Sequence, residues 1–183
     1  MQQGDTISAI ATPQGEGGIG VIRISGEHAL KTAGRVFRAA NGKPLVMAGS
    51  HHAVYGHIVD EKGQIIDECL ALIMLAPHSY TVEDVVELQC HGGLMTLRKT
   101  LELTWQAGAR PAERGEFTKR AFLNGRLDLS EAQAVMDIIK ARTETSLTMA
   151  AGHLTGHFSK LIKEMRHDIL GMIAHIEAAI DFP

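Results

Sequence analysis

Only two cysteines occur in the 183 residues, Cys69 and Cys90, and they form neither a CxxC pair nor a zinc-like spacing. That excludes a disulfide framework and fits a reducing compartment. No GxxxxGK[ST] phosphate loop occurs anywhere, so this chain alone is not expected to hydrolyse GTP or ATP. Neither charge sign dominates: 18 basic against 21 acidic residues leave a formal charge of −3. Nothing advertises a broad attraction to nucleic acid, and such a contact would need a local patch or another part of a larger assembly. Long hydrophobic runs are also missing. The longest, CLALIMLAP, is far too short to span a bilayer, and the MQQGDTISAI start lacks a basic n-region. The expectation is a soluble cytoplasmic protein with no membrane segment.

What is present divides in two. TISAIAT (6–12) and GVIRIS (20–25) are short, rich in β-branched residues and separated by glycines. Helical spacing follows over 27–40, with Ala29, Ala33, Val36 and Phe37 on one face. HHAVYGHIVD and QIIDECLALIML flank EKG as a hairpin. EDVVELQCH alternates again and stops at Gly92–Gly93, and LMTLRKTLELTWQAG reads as an amphipathic helix ending near Gly108. Strands mixed with helices over the first part predict an α+β fold: an N-terminal mixed β-sheet domain with flanking helices, over 1–117. From 118 to 183 the alternation disappears and a long-helix segment of an incomplete helical bundle is expected. Asp128 and Glu131 have capping-box spacing, with Ser130 a rival N-cap. Apolar residues then recur every three or four positions from Leu147 through Phe158 to Ile180, enough for one helix of roughly 38 residues. Such a helix has too few partners in this chain, so the second unit reads as unfinished.

GEGGIG (15–20) satisfies G-x-G-x-x-G on spacing alone. A dinucleotide loop, however, must run from a strand into a helix N-terminus. Here VIRIS follows at once and reads as a strand. The glycines therefore permit a tight connection, or let a flat ligand approach bare backbone; the two are compatible.

The strand faces carry the remaining chemistry. Val21, Arg23 and Ser25 share one face of GVIRIS; Val85, Glu87, Gln89 and His91 share one face of DVVELQCH. In one sheet, Arg23 and Glu87 would project together, either as an exposed cross-strand ion pair or as a polar ligand site. Arg126, in NGRLDL where the two parts meet, is a third charged candidate. Cys90 and His91 are neighbours on a strand and point to opposite faces, which argues against a thiol–imidazole pair. His153 and His157 have metal-ligand spacing but no third ligand, so no metal site is expected.

Four phrases stand in order along the chain: DTISAIATPQGEGGIGVIRISG, YTVEDVVELQCHGG, RPAERGEFTKRAFLNGRLDLSEAQAVMDII and EAAIDFP. Together they closely resemble the tRNA modification GTPase family called MnmE or TrmE. The resemblance implies an N-terminal folate-binding and dimerisation domain followed by the first segment of a helical domain. The G domain inserted in that helical domain, which would hold GTP, Mg2+ and K+, and the terminal cysteine motif are absent from this sequence. A tetrahydrofolate derivative, in its 5,10-methylene or 5-formyl form, would be held by Arg23, Glu87 and Arg126. Gly17, Gly18 and Gly20 would form a close-approach wall. Relatives often carry Lys where Arg126 stands, and glycine is frequent at the position of Val82.

The same resemblance implies a homodimer, a flavoprotein partner (MnmG, also called GidA) and tRNA as substrate of the full complex. The reaction would place an aminomethyl-type group on the wobble uridine, with GTP hydrolysis driving a conformational cycle. For this chain it implies folate binding and dimerisation without catalysis. Two rivals remain: a free-standing folate-dependent aminomethyltransferase, with Glu87 as its only tempting carboxylate, and a pure dimerisation scaffold with no folate affinity.

Overall fold

A computed structural model describes residues 4–13 and 15–181, without the side chains of 157–159. Phe158 of the expected apolar stripe, the His157 ring and the last two residues of the EAAIDFP phrase thus lie outside the described residues. The chain divides into two compact units, Met1–Asn124 and Gly125–Pro183.

The first unit is built on a seven-stranded sheet, an α+β arrangement as expected. Its strands are β1 (Ile7–Ile10), β2 (Gly17–Ser25), β3 (Phe37–Ala39), β4 (His52–Val59), β5 (Ile65–Met74), β6 (Val85–Gly92) and β7 (Arg110–Pro111). They lie in the order β3-β4-β5-β6-β2-β1-β7. Every pairing is antiparallel except that of β1 with β7, so the sheet is mixed. Helices α1 (Ala29–Val36) and α2 (Leu94–Gln106) pack on one face. Period-2 alternation sends Ile22, Ile24, Ala71, Ile73, Val86 and Leu88 to that face, where they meet Ala29, Ala33 and Val36 of α1 and Leu97 and Leu103 of α2. Each large aliphatic side chain fully buried there contributes about 1.5–3 kcal/mol. Gly20 belongs to this packing, since a Cβ there would run into Leu97.

The helix expected over 27–40 is shorter than its spacing predicts. It ends at Val36 because Phe37 turns extended (φ −121, ψ 138) and pairs with Ile58 as the first residue of the edge strand β3. The Phe37 side chain is still buried in the core. Apolar spacing alone could not tell the two backbones apart. A further helix, α3 (Glu116–Leu123), completes this unit.

The second unit holds α4 (Leu129–Lys140), α5 (Glu144–Leu154) and α6 (His157–Asp181). Asp128 is the N-cap of α4: its side chain accepts from Glu131 N at 2.9 Å, while Glu131 Oε2 accepts from Asp128 N at 2.8 Å. Ser130 is therefore inside the helix. The single helix expected from residue 147 onward is instead two. α5 ends at Leu154 with Thr155 as its C-cap, and Gly156 adopts φ +73, a left-handed conformation that closes one helix before the next begins. The described apolar side chains of α6, from Leu161 to Ile180, are all exposed. No helix among the described residues is long and apolar enough to cross a membrane.

Candidate functional site

The face of the sheet opposite α1 and α2 carries the charged strand residues. Arg23 and Glu87 are directly opposed across the β2–β6 ladder. Arg23 Nε donates to Glu87 Oε1 at 2.8 Å, with the two side chains 26% and 15% exposed. The pair is neither sealed nor freely solvated. The guanidinium carbon lies 5.2 Å from the centre of the Tyr80 ring and 5.5 Å from that of Phe117. Both distances suit a cation over an aromatic face. Tyr80 in turn hydrogen-bonds Thr118 of α3 through its hydroxyl, at 2.9 Å.

Behind this group lies an ion cluster that fixes α3. Arg120 reaches Asp5, Glu83 and Glu116; Arg110 reaches Asp5 and Glu116. Glu116 is fully buried, and its carboxylate also accepts from the Glu113 backbone at 2.7 Å. The hydrogen bond from Arg110 is the main reason its pKa falls to about 2, against burial, which pulls it up. Burial likewise raises Asp5, but hydrogen bonds from Arg110 and Arg120 outweigh it and hold that carboxyl below its ordinary value. Glu83 passes the network on to Ser25 Oγ, which donates to it at 2.7 Å and also contacts Thr81. The residues GEFTKR thus form an anchored helix that presents Phe117 to Arg23. Only the Glu116–Arg120 spacing of four hinted at this in the sequence.

Thr81 is followed by Val82 at φ +66, a left-handed conformation that disfavours a β-branched side chain. This is the position at which the resemblance made glycine frequent.

The other expected residues are placed as follows. Gly17 and Gly18 open β2, where a Cβ on Gly18 would meet nothing within 4 Å. Gly18 lines a cavity of about 320 Å3 with Ile19, Tyr55, Leu70, Gln89 and His91. Gly20 faces Leu97 on the helix side of the sheet. Arg126 is an exposed residue of the second unit, between Gly125 and α4. A larger cavity, about 700 Å3, opens beside α1 and the 42–46 loop and includes none of Arg23, Glu87 or Gln89.

In the sequence His91 shares the Glu87 face of its strand and neighbours Cys90, and the structure places His91 and Cys90 on opposite faces. Cys90 is buried opposite Cys69, and its contact with that thiol, together with burial, pushes the Cys69 pKa up. His91 lies on the open face and is held by Asp67: Nδ1 donates to Oδ1 at 2.6 Å, and the backbone N–H donates to Oδ2 at 2.8 Å. Beside it Tyr55 donates to Glu68 Oε2 at 2.9 Å. Among the described residues no three His, Cys, Asp or Glu side chains gather to hold a metal ion.

Residues 6–126 match the family model described as the GTP-binding protein TrmE N-terminus, and residues 129–183 match the MnmE helical domain. The chain is similar to the tRNA modification GTPase MnmE of Symbiobacterium thermophilum, 56% identical over 98% of this chain and 39% of that protein. It is 50% identical to that of Geobacillus thermodenitrificans over 100% of this chain and 40% of that protein. For the protein of the same name from Clostridioides difficile the identity is 52%, over 98% and 39%. The chain therefore spans about two fifths of the length of the curated relatives it matches.

Proposed function

This chain belongs to the tRNA modification GTPase MnmE (TrmE) family, and from that premise we propose that it is a folate-binding and dimerising part of such a protein. The observation that carries the reading is the Arg23–Glu87 pair, half-open on the sheet face and walled by Tyr80 and Phe117. The donor set fits a reduced pterin. An ionised carboxylate is an acceptor with two oxygens, and Glu87 spends one on Arg23, leaving capacity for the N–H groups of the ring. Arg23 meets the polar ring edge, and the two aromatic rings offer flat apolar surface beside it. Gly18 leaves open backbone next to the same face. Arg126 is the third residue the resemblance implies.

When bound, the tetrahydrofolate derivative supplies the one-carbon unit; these residues bind and orient it. In the full-length protein, GTP hydrolysis, with Mg2+ and K+, belongs to a G domain outside these residues. The tRNA and the MnmG-type flavoprotein are partners of that larger assembly in the cytoplasm. The N-terminal units pair as a homodimer.

Calorimetric titration of the 183-residue chain with 5-formyltetrahydrofolate tests this reading. Saturable binding that an Arg23→Ala, Glu87→Ala double variant loses is expected. Absence of binding by the folded wild-type chain sinks the folate reading and leaves the dimerisation scaffold in its place. Turnover of a folate donor without GTP would favour the free-standing transferase instead.

A further inference from the structure

We propose that His91, oriented by Asp67, is a proton donor aimed at the one-carbon-bearing part of a ligand lying on the open sheet face. The inference rests on the folate reading above and extends it to a residue that reading does not use.

The geometry begins with the carboxylate. Asp67 is only 10% exposed, and both its oxygens are committed to one residue, accepting the His91 backbone N–H and its ring Nδ1–H. An ionised carboxylate cannot donate, so Nδ1 must carry the proton and Nε2 is the atom left to exchange one. The ring is 64% exposed and lines the 320 Å3 cavity. A mostly buried carboxylate that fixes one nitrogen of an imidazole at the edge of a cleft, leaving the other to exchange a proton, is the arrangement by which imidazoles are set up for proton transfer. A surface histidine serving packing alone would need no such clamp.

Position ties this group to the ligand site. Glu87, Gln89 and His91 lie on the same face of β6, so a four-residue step separates the ends of the row by about 13 Å. The ground between them is neutral: Gln89 sits between Val21 of β2 and Leu70 of β5 in the ladder, with Tyr55 beyond. Gln89 lines the same cavity as His91, so a ligand whose pterin edge pairs with Glu87 and that extends along this strip would reach the imidazole.

The charges around the imidazole select a donor role. Asp67 and Glu68 of β5 both face it with negative charge, Tyr55 of β4 is neutral, and β2 contributes only Gly18 and Ile19. The hydrogen bond to Asp67, then its charge, raises the His91 pKa above the ordinary histidine value. The protonated ring, which presents Nε2–H, therefore persists to higher pH than that of an ordinary histidine. Donation of that hydrogen to a ligand nitrogen or carbonyl oxygen favours the charged ring further. Full transfer would leave the ring neutral, with Nδ1–H still held by Asp67.

The test is calorimetry of 5-formyltetrahydrofolate binding in buffers of different ionisation enthalpy, from pH 6 to 8. The wild-type chain is expected to take up a fraction of a proton on binding, with affinity falling as pH rises through the His91 range. His91→Gln, confirmed folded by circular dichroism, is expected to bind roughly tenfold more weakly, the loss of a charge-assisted hydrogen bond, and to take up no proton. Asp67→Asn is expected to lower the His91 pKa followed by imidazole NMR and to move the uptake window down with it. Folate binding with equal proton linkage in wild type and His91→Gln overturns this proposal and leaves the folate reading standing. No binding by the folded wild type overturns both.

Discussion

At the scale of single residues, the protonation state of Glu116 bears directly on the fold. Its carboxylate is buried and bridges Arg110 and Arg120, so the charged form is the one the native state keeps. The native pKa is about 2 against an ordinary 4.5, so the unfolded chain binds this proton first on acidification. The stabilisation is fully present above pH 4.5 and is lost as pH falls from there toward 2. Its size is about 3 kcal/mol, because each tenfold difference in proton affinity between the folded and unfolded chain is worth roughly 1.4 kcal/mol. Urea unfolding between pH 3 and 7 is expected to show that loss in wild type. In Glu116→Gln, stability at pH 7 should drop by about 3 kcal/mol, because two arginines lose a buried partner. The acid-induced decline should shrink accordingly. An unchanged pH profile in the variant would mean that Asp5 and Glu83 hold the arginines without it.

At the scale of elements, the strands were legible wherever one face is buried and the other is not. Ile22 and Ile24 against Arg23, and Val86 and Leu88 against Glu87, named both the sheet and the candidate pair, because alternation in a strand is itself a statement about faces. What failed had a physical cause in each case. Phe37 keeps apolar spacing while its backbone changes state, and Gly156 interrupts a stripe whose periodicity runs straight across it. The aromatic walls at Tyr80 and Phe117 depend on α3, whose docking rests on ion pairs between residues up to 115 apart in sequence. No local pattern announces such contacts. The α4 start was legible, since a capping box is a local device. Its removal in Asp128→Ala is expected to cost the second unit about 1 kcal/mol. Thermal melting followed at 222 nm is the measurement, and a midpoint equal to wild type would show that Ser130 takes over the cap.

For the whole molecule, the division at Asn124 separates two kinds of stability. All seven strands, the buried cluster from Ile22 to Leu103, and the Asp5–Arg110–Glu116–Arg120–Glu83 ion cluster lie before it. The second unit differs: the whole described length of α6 leaves its apolar side chains in solvent, and a helix of that kind gains most of its stability from tertiary packing. A chain of residues 1–124 keeps the sheet, the buried cluster and the ion cluster whole, and is therefore expected to unfold cooperatively in urea with a stability within about 1 kcal/mol of the same unit in the longer chain. The longer chain should lose helical signal at lower urea, ahead of that transition. Binding of 5-formyltetrahydrofolate by 1–124, compared with that of an Arg126→Ala variant of the longer chain, then isolates Arg126. Equal affinities for the two, both weaker than wild type, are expected if the first unit carries the rest of the site. A 1–124 chain that binds dye and lacks a near-ultraviolet signal would show that its core needs the helices after all.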